Sequence, residues 1–420
     1  MRAAKNIFAN IDKVSILLYA ILILFGWINI YASQYNEDTT MVIDFSSRYG
    51  KQLLFIGIAC FVAFLTLIID WKFYYSLSYL FYISIILLLL GVLFKGEVTG
   101  GATSWFDIGI FKFQPSEFAK FTTALALAKY YNNLHIKRVS FQEKLKAYAI
   151  IILPFLLIIL QNDLGTALVY TAFILVLYRE GISGNILIFG LIITILFILT
   201  LVVEKTMLTS ILLGTSVILY LLSRRKKKEL LLILGALISC TTFIFSVDYI
   251  LNDMLAPHQR KRINILLGKE FDPHGAGYNL IQSKIAIGSG GFSGKGFLNG
   301  TQTRFDFVPE QSTDFIFCTI GEEWGFLGSL FFMTLFVGLL LRVLFLAERQ
   351  RSNFSRIYGY SVATILFMHF VINVGMTIGL LPVIGIPLPF ISYGGSSLIG
   401  FTILLFIFLN LDSYRLQILR

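Results

Sequence analysis

Charged residues are scarce in this chain, where they make up 14% of 420 residues. An ordinary soluble protein carries about a quarter charged residues, so this chain lacks the charge to cover a soluble surface of that size. The composition also excludes an intrinsically disordered chain, a collagen-like repeat and a basic nucleic-acid-binding protein of the usual kind. Hydrophobic residues supply 57% of the sequence, and we infer that most of its surface faces lipid.

Cysteine and histidine are also few, with three and four copies. The cysteines Cys60, Cys240 and Cys318 lie far apart within apolar runs, and the sequence has no CxxC motif or Cys/His cluster. We therefore expect them to be small core residues rather than disulfides or zinc ligands. The histidines, among them the lone His369, have no metal-ligand spacing, so the sequence predicts no protein metal site.

Long apolar runs are abundant instead. A helix that crosses the hydrocarbon core needs about 20 apolar residues, somewhat fewer where neighbours bury its ends. About twelve stretches meet this requirement, and they predict a single all-α polytopic membrane domain over 1–420 with about 10–12 transmembrane helices. We expect all regular structure to be helical, because an open sheet edge cannot be left in hydrocarbon. The stretches are 14–32, 53–70, 76–94, 117–131, 147–160, 164–178, 185–203, 206–222, 229–250, 314–345, 357–380 and 396–411.

Positive charge indicates the orientation of these spans, because Lys and Arg concentrate in short cytoplasmic loops. With the N-terminus inside and the spans alternating, the inside loops are rich in Lys and Arg. The short outside loops contain almost none. We therefore expect a multi-pass protein of the cell inner (cytoplasmic) membrane with a cytoplasmic N-terminus. The basic residues in question are Arg2, Lys5, Lys13, Lys137, Arg138, Lys144, Lys146, the run 224–228, Arg349, Arg351, Arg356, Arg415 and Arg420.

One predicted outside loop, 251–313, is basic as well. An anionic substrate would account for this charge, and contact with lipid headgroups alone is the alternative. Arg260 and Lys295 are the candidate ligands. Lys295 lies in a glycine-rich stretch, 288–300, whose backbone N–H groups can approach an anion, although the stretch matches neither a Walker motif nor a dinucleotide fingerprint.

Two charged residues interrupt the apolar stretch 117–131. Glu117 and Lys120 are three residues apart, so they share a helix face and can pair. In a nearly apolar span such a pair points inward and marks a polar cavity, with a helix-stabilising ion pair as the alternative. Asp163, at the break between the spans 147–160 and 164–178, is either the N-cap of the next helix or a residue with a direct role.

The turn 309–314, with sequence PEQSTD, is the sharper feature. Asp314 opens the longest apolar run at the predicted outer face, where a carboxylate lies between water and a medium of low dielectric constant. That position suits a general base, and an ordinary acidic residue at a helix N-terminus is the alternative. Glu310 and Ser312 in the same turn are candidate substrate contacts. Further on, three prolines in 381–397 prevent regular helix and predict a re-entrant segment that faces protein or a wet cavity.

These stretches resemble the SEDS family, and within it the RodA branch more than the FtsW branch. The resemblance covers most of the chain from Gly100 onward, in the family's order. The matching blocks are GGATSWFDIGIFKFQPSEFAK, QNDLGTAL, HQRKRI, DPHGAGYNLIQSKIAIGSGGFSGKGFLNGTQ, FVPEQSTDFIF, GEEWGFLG and PLPFISYGGSS.

The resemblance implies the SEDS fold and a peptidoglycan glycosyltransferase that polymerises lipid II into glycan strands during cell elongation and shape maintenance. It implies a class B penicillin-binding protein, a transpeptidase, as partner, together with other membrane proteins of the elongation complex and without nucleic acid. The family's essential acid falls on Asp314 and its polar-cavity pair on Glu117 and Lys120. Arg48 resembles a basic residue near the outer end of the second span.

No cofactor is certain from the sequence. The charge of a leaving diphosphate has to be balanced, and Arg260, Lys295, Lys120 or a divalent cation such as Mg²⁺ or Mn²⁺ would do so. Two other functions stay open at this stage: a flippase that moves lipid II across the bilayer, and a non-catalytic scaffold of the elongation complex.

The chain departs from the family pattern in three respects. The family usually has proline where this chain has Asn162, and a basic residue or histidine where it has Ser312. Family members typically have ten spans, so an extra pair of helices is expected within 185–250.

Overall fold

The computed structural model describes residues 10–35, 44–99, 101–107, 109, 112–134, 140–223, 227–254, 257–267, 276–305 and 307–415. Some basic residues of the predicted inside loops lie outside the described ranges, namely Arg2, Lys5, Lys137, Arg138, Arg224, Arg225, Lys226 and Arg420. The chain forms two compact units, Met1–Glu180 with Asn279–Arg420, and Gly181–Tyr278. The prediction of one domain over 1–420 stays a prediction.

Helices dominate both units, and several begin where a polar side chain accepts a hydrogen bond from a free backbone N–H. Asp12, Ser47 and Asp70 cap the first three helices in this way. The helices are α1 (Lys13–Ala32), α2 (Arg48–Ile68), α3 (Trp71–Lys95), α4 (Pro115–Asn133), α5 (Phe141–Leu160), α6 (Leu164–Val169), α7 (Phe173–Arg179), α8 (Asn185–Val202), α9 (Lys205–Leu222), α10 (Lys227–Tyr249), α11 (Pro257–Leu266), α12 (Ala276–Gly290), α13 (Thr301–Arg304), α14 (Ile316–Glu348), α15 (Asn353–Thr377) and α16 (Gly395–Ser413).

The all-α polytopic membrane fold is confirmed. Nine helices within the described ranges are long and apolar enough to cross a membrane: α1, α2, α3, α8, α9, α10, α14, α15 and α16. The three remaining predicted stretches form α4, α5 and the pair α6–α7, which a 3₁₀ turn separates at Tyr170–Ala172. The most enclosed of these, α4, packs against α3, α5, α15 and α16, and this position allows it to carry polar side chains.

A small antiparallel sheet contradicts the expectation that all regular structure is helical. Its strands are β1 (Glu97–Thr99), β2 (Ala102–Asp107) and β3 (Lys112–Phe113), in that order. The sheet follows the end of α3, where Lys112 pairs with Glu97 at 2.7 Å and both side chains are nearly half exposed. Open sheet edges are excluded only within the hydrocarbon core. The prediction wrongly applied this exclusion to the residues that follow α3, where the chain has left the hydrocarbon.

Helices α1 and α14 run antiparallel, which fixes the two ends of the first unit. Asp12, just before α1, forms an ion pair with Arg342 near the end of α14. At the other end of α1, the carbonyl of Ser33 accepts a hydrogen bond of 2.7 Å from Gln311, just before α14. Asp314 therefore lies at the end of the unit opposite Asp12. Burial alone raises the pKa of Asp12, but hydrogen bonds from Arg342 and Ser15 outweigh it and lower that pKa.

The middle of α14 is kinked against the glycine-rich stretch 288–300. Gly325 has φ +64° and ψ −156°, and a Cβ there would overlap the backbone nitrogen of Gly294. Around this point backbone hydrogen bonds join Lys295 N–H to the Glu322 carbonyl and Phe326 N–H to the Gly291 carbonyl. The glycines therefore permit close packing of the two backbones. The predicted loop 251–313, which contains this stretch, is partly helical.

The second unit consists of α8 to α11 and a small apolar core. Leu196, Leu208 and Ile244 form this core, and Lys205 pairs with Asp248 at 2.8 Å. The helices α8, α9 and α10 are apolar and mostly exposed within the unit, as expected of surfaces that contact lipid. They occupy 185–250, where extra helices were expected.

The cysteines and Asn162 can be compared with what the sequence suggested. Cys318 is buried, as expected, but Cys60 is exposed on α2 and Cys240 is only half-buried, so the prediction of core residues is wrong for Cys60. The error arises because an apolar run in a membrane protein has lipid-facing sides as well as core-facing ones. Asn162 has φ +60°, a conformation that the ring of proline forbids and that asparagine tolerates.

Candidate functional site

The turn that carries Asp314 is anchored on α2. At the start of that helix, the Arg48 guanidinium donates to the Ser312 hydroxyl at 2.9 Å and pairs with Glu310 at 3.3 Å. The Glu310 carboxylate also accepts from the Thr313 hydroxyl at 2.9 Å, and Glu310 itself adopts φ +56°. The structure thus brings together three predicted site residues, Arg48, Glu310 and Ser312, immediately before Asp314.

The proline-rich segment between α15 and α16 forms the other side of this turn. Residues 378–394 contain no helix, as the prolines predict. The Ser392 hydroxyl donates to the Thr313 carbonyl at 2.6 Å, and the Tyr393 N–H donates to the Ser312 carbonyl at 2.8 Å. Gly385 has φ +75°, and a Cβ built on it would lie 3.2 Å from Oδ2 of Asp314. The Asp314 side chain, which is partly exposed, therefore lies directly against this segment.

Two polar side chains of α15 hold the same segment from inside the unit. Asn373 Nδ2 donates to the carbonyl of Asp314 at 2.9 Å and to that of Ile386 at 2.7 Å. One helical turn earlier, His369 Nδ1 lies 3.2 Å from the carbonyl oxygen of Pro387. Both side chains are fully buried. Hydrogen bonds to the carbonyls of Thr313 and Asp314 thus fix the main chain that carries the Asp314 side chain.

The Glu117–Lys120 pair is confirmed and lies deep in the unit. Lys120 Nζ is 2.8 Å from Glu117 Oε2, and the two side chains are 2% and 1% exposed. Lys120 Nζ also lies 2.8 Å from His369 Nε2 and 4.5 Å from the centre of the Phe401 ring. Glu117 Oε1 is buried without a hydrogen-bond partner among the described residues. A hydrogen-bonded connection therefore runs from Glu117 through Lys120 and His369 to Pro387.

Asp163 is a helix cap, one of its two predicted alternatives. Its Oδ1 accepts from the Thr166 N–H at 3.0 Å at the start of α6, and its Oδ2 accepts from Gln114 at 3.0 Å. The carboxylate therefore joins the starts of α6 and α4, and α4 carries the Glu117–Lys120 pair.

Lys295 has a different environment from the one the sequence suggested. Its Nζ pairs with Glu322 Oε1 at 2.7 Å, and the Glu322 carboxylate also accepts from the backbone N–H groups of Gln302 and Thr303, each at 2.9 Å. The N–H groups of Lys295 and Gly296 donate to carbonyls of α14. These backbone donors are therefore engaged within the protein rather than available to an anion. A substrate contact of the Lys295 side chain stays a prediction.

Arg260 belongs to the second unit, on α11. There it lines a small cavity together with Asp248 and Asn264. Its role in substrate binding stays a prediction. Among the described residues, no group of three or more His, Cys, Asp and Glu side chains comes together in a way that could hold a metal ion.

His369 and Asn373 are the residues that sequence reasoning missed. For His369 the sequence predicted only that it lacks a metal-ligand spacing. A signal was nevertheless present, because an ionisable side chain inside an apolar span is expected to face a buried polar partner, and Lys120 was already predicted to face inward. Asn373 gave no comparable signal, because one amide in a helix is common.

The chain is similar to known proteins over nearly its whole length. The family model for FtsW/RodA/SpoVE, described as cell cycle protein, matches residues 12–208 and 183–417. The peptidoglycan glycosyltransferase MrdB of Escherichia coli is 38% identical over 319 residues, which are 76% of this chain and 73% of that protein. The peptidoglycan glycosyltransferase RodA of Treponema pallidum is 33% identical over 417 residues, 93% of this chain and 94% of that protein.

Solved structures agree with this similarity. A chain from a structure of a peptidoglycan synthase complex, described as coordinating polymerization and crosslinking, has a TM-score of 0.71 and 27% identity, with 97% of this chain and 99% of that chain covered. A mutant of the rod shape determining protein RodA of Thermus thermophilus has a TM-score of 0.63 and 25% identity, with 96% and 98% covered. This protein therefore belongs to the FtsW/RodA/SpoVE family.

Proposed function

We propose that this chain, a peptidoglycan glycosyltransferase, polymerises lipid II into glycan strands with Asp314 as the general base. The class of activity is that of its relatives MrdB and RodA, and it implies transfer between sugars. In the proposed step the acceptor sugar hydroxyl attacks the anomeric carbon of the donor, and Asp314 takes the hydroxyl proton. The bond from the anomeric carbon to the lipid diphosphate breaks, and the diphosphate leaves with the electron pair.

The position of Asp314 is the observation that carries this proposal. The residue is partly exposed, it lies at the end of the first unit opposite Asp12, and its main chain is fixed by hydrogen bonds from α15 and the proline-rich segment. A base has to reach the hydroxyl it deprotonates within hydrogen-bond distance, and a fixed main chain limits where the carboxylate can go. A base placed in this way contributes roughly 10²–10⁴-fold to the rate.

Arg48 is the best-placed group for the charge of the leaving diphosphate. Its side chain is 41% exposed and bonds to Ser312, two residues before Asp314. Lys295 and Arg260 are further candidates, and Glu117 and Lys120 are proposed to line the polar interior of the site. A divalent cation that binds the phosphate oxygens of the substrate is a further candidate for balancing this charge.

The location and partners follow from the same chemistry. We propose that the first unit lies in the cytoplasmic membrane with Asp12 at the cytoplasmic end, because this places Asp314 at the outer face. Both sugars are then carried on lipid tails that lie in the bilayer. We propose a class B penicillin-binding protein as partner, since the matching solved structure concerns a complex that polymerises and crosslinks.

The test uses the purified chain with its partner in vesicles that carry lipid II. Polymer should form from lipid II supplied at the outer face. The rate should fall by roughly 10²–10⁴-fold with Asp314→Asn, a variant that keeps the size of the side chain and removes the base. Lipid II that crosses the bilayer without polymer would instead indicate a flippase, and neither polymer nor transport would indicate a scaffold.

A further inference from the structure

Both ring nitrogens of His369 have a hydrogen-bond partner, and the two partners determine which nitrogen carries the proton. A lysine ammonium has donors and no acceptor, so His369 Nε2 must accept from Lys120 at 2.8 Å. The neutral ring then carries its proton on Nδ1, which donates to the Pro387 carbonyl at 3.2 Å. The edge of the ring also packs against Phe401 with the ring centres 4.7 Å apart, so the ring cannot turn freely.

Lys120 therefore acts on the proline-rich segment without touching it. Removal of the lysine would leave Nε2 without its donor and would let the proton move to that nitrogen. In that tautomer Nδ1 is an acceptor facing the carbonyl of Pro387, and the hydrogen bond is lost. Lys120 thus favours the tautomer that the Pro387 carbonyl, which can only accept, requires on the far side of the ring.

His369 and Asn373 together align the segment with the base. They are one helical turn apart and bind the adjacent carbonyls of Pro387 and Ile386. Gly385, the next residue, lies against the Asp314 carboxylate, and Asn373 also binds the Asp314 carbonyl. A shift of the segment at Pro387 would therefore change the space on one side of the carboxylate.

We infer that His369 is a positioning residue for the transfer reaction, acting through its Nδ1–H bond to Pro387, and that Lys120 contributes by fixing its tautomer. This inference rests on the proposed function, in which Asp314 is the base. It assigns His369 no contact with substrate. Its loss should lower kcat and leave KM for lipid II nearly unchanged, because the group that moves is the base and not a binding group.

Two substitutions separate the two nitrogens of the ring. In His369→Asn the amide nitrogen is two bonds from Cβ, as Nδ1 is, so it can still donate to Pro387. In His369→Gln the amide group is three bonds from Cβ, as Nε2 is, so it can accept from Lys120 but no longer reaches Pro387. Ser361→Ala is the matched control, because Ser361 is buried on the same helix and its hydroxyl bonds to the Ile357 carbonyl of that helix.

The experiment measures kcat and KM for glycan synthesis by each variant with its partner, after each variant elutes as a single species and its thermal unfolding midpoint is known. We expect His369→Asn to keep kcat within about fivefold of the wild type. We expect His369→Gln to lose roughly 10²-fold, the cost of a reacting group misplaced by about 1 Å, with KM within about twofold. Ser361→Ala should behave like the wild type.

Several results would overturn the inference. Equal losses in both histidine variants, the reverse order, or a rise in KM in place of a fall in kcat would each show that the Nδ1–H bond is not what matters. Failure of His369→Asn to fold, alone or together with His369→Gln, would make His369 a folding residue. The proposed function fails separately, if Asp314→Asn makes polymer at a rate close to that of the wild type, whatever the histidine variants do.

Discussion

Gly385 and the Asp314 carboxylate are close neighbours in the candidate site, and a side chain on Gly385 would make a tight contact with the carboxylate. A Cβ on Gly385 would lie 3.2 Å from Asp314 Oδ2, and φ at Gly385 is +75°. The backbone conformation therefore favours glycine, and the missing side chain leaves the carboxylate undisturbed.

Substitution of Gly385 by alanine should displace the base. We expect Gly385→Ala to reduce kcat for glycan synthesis by at least about tenfold, because a general base acts only within hydrogen-bond distance of the hydroxyl. Gly109→Ala is the control, since Gly109 has a similar φ of +80° and open space where its Cβ would be. Both variants carry the backbone strain, of about 1–2 kcal/mol. Equal activity in the two would show that the contact with Asp314 has no catalytic consequence.

Arg48 should contribute to the transfer reaction through both its charge and its hydrogen bond to Ser312. We expect Arg48→Met to lower kcat/KM by roughly 10–100-fold, because a hydrogen bond to a charged group and the balance of diphosphate charge are lost together. Lys51→Met, three residues later on the same helix and exposed, is the control for a simple change of net charge. Steady-state kinetics at several lipid II concentrations measure the effect. An equal effect of both variants would point to net charge alone.

Removal of one partner of the buried pair Glu117–Lys120 should destabilise the protein more than replacement of both. We expect Lys120→Met alone to destabilise the protein by about 3–5 kcal/mol, because an unpaired carboxylate is left in the interior. The double variant Glu117→Gln/Lys120→Met should recover a large part of that loss. Unfolding midpoints in detergent give the comparison. A double variant as unstable as Lys120→Met would show that the unpaired carboxylate is not the cause of the loss.

Gly325 should be essential to the kink in α14. We expect Gly325→Ala to destabilise by about 1–3 kcal/mol or more, since φ is +64° and a Cβ would overlap the backbone of Gly294. Gly338→Ala in the same helix has open space at its Cβ and should be neutral or stabilising by up to about 1 kcal/mol. Similar unfolding midpoints for the two variants would contradict the description of the kink.

The membrane fold was predictable from the sequence because each span is long, apolar and bounded by polar residues. The same reasoning located the Glu117–Lys120 pair, since their spacing alone puts them on one helix face. The small sheet after α3 was not predicted, because the chain leaves the hydrocarbon there and the rule that excludes sheets no longer applies.

The candidate site was only partly predictable. Asp314, Glu310 and Ser312 are adjacent in the chain, so their proximity was evident, but the contact of Arg48 with Ser312 joins residues 264 positions apart. The role of the glycine-rich stretch 288–300 was not predictable from the sequence either. Closely spaced glycines permit an anion cradle or close backbone packing, and only the tertiary structure shows Gly294 against Gly325.

The most direct test of the account is the rate of glycan synthesis by Asp314→Ala compared with the wild type, each with its partner and with lipid II at the outer face. The account predicts a rate lower by roughly 10²–10⁴-fold, with lipid II still bound and the thermal unfolding midpoint preserved. Glycan strands made by Asp314→Ala at a rate close to that of the wild type would contradict it.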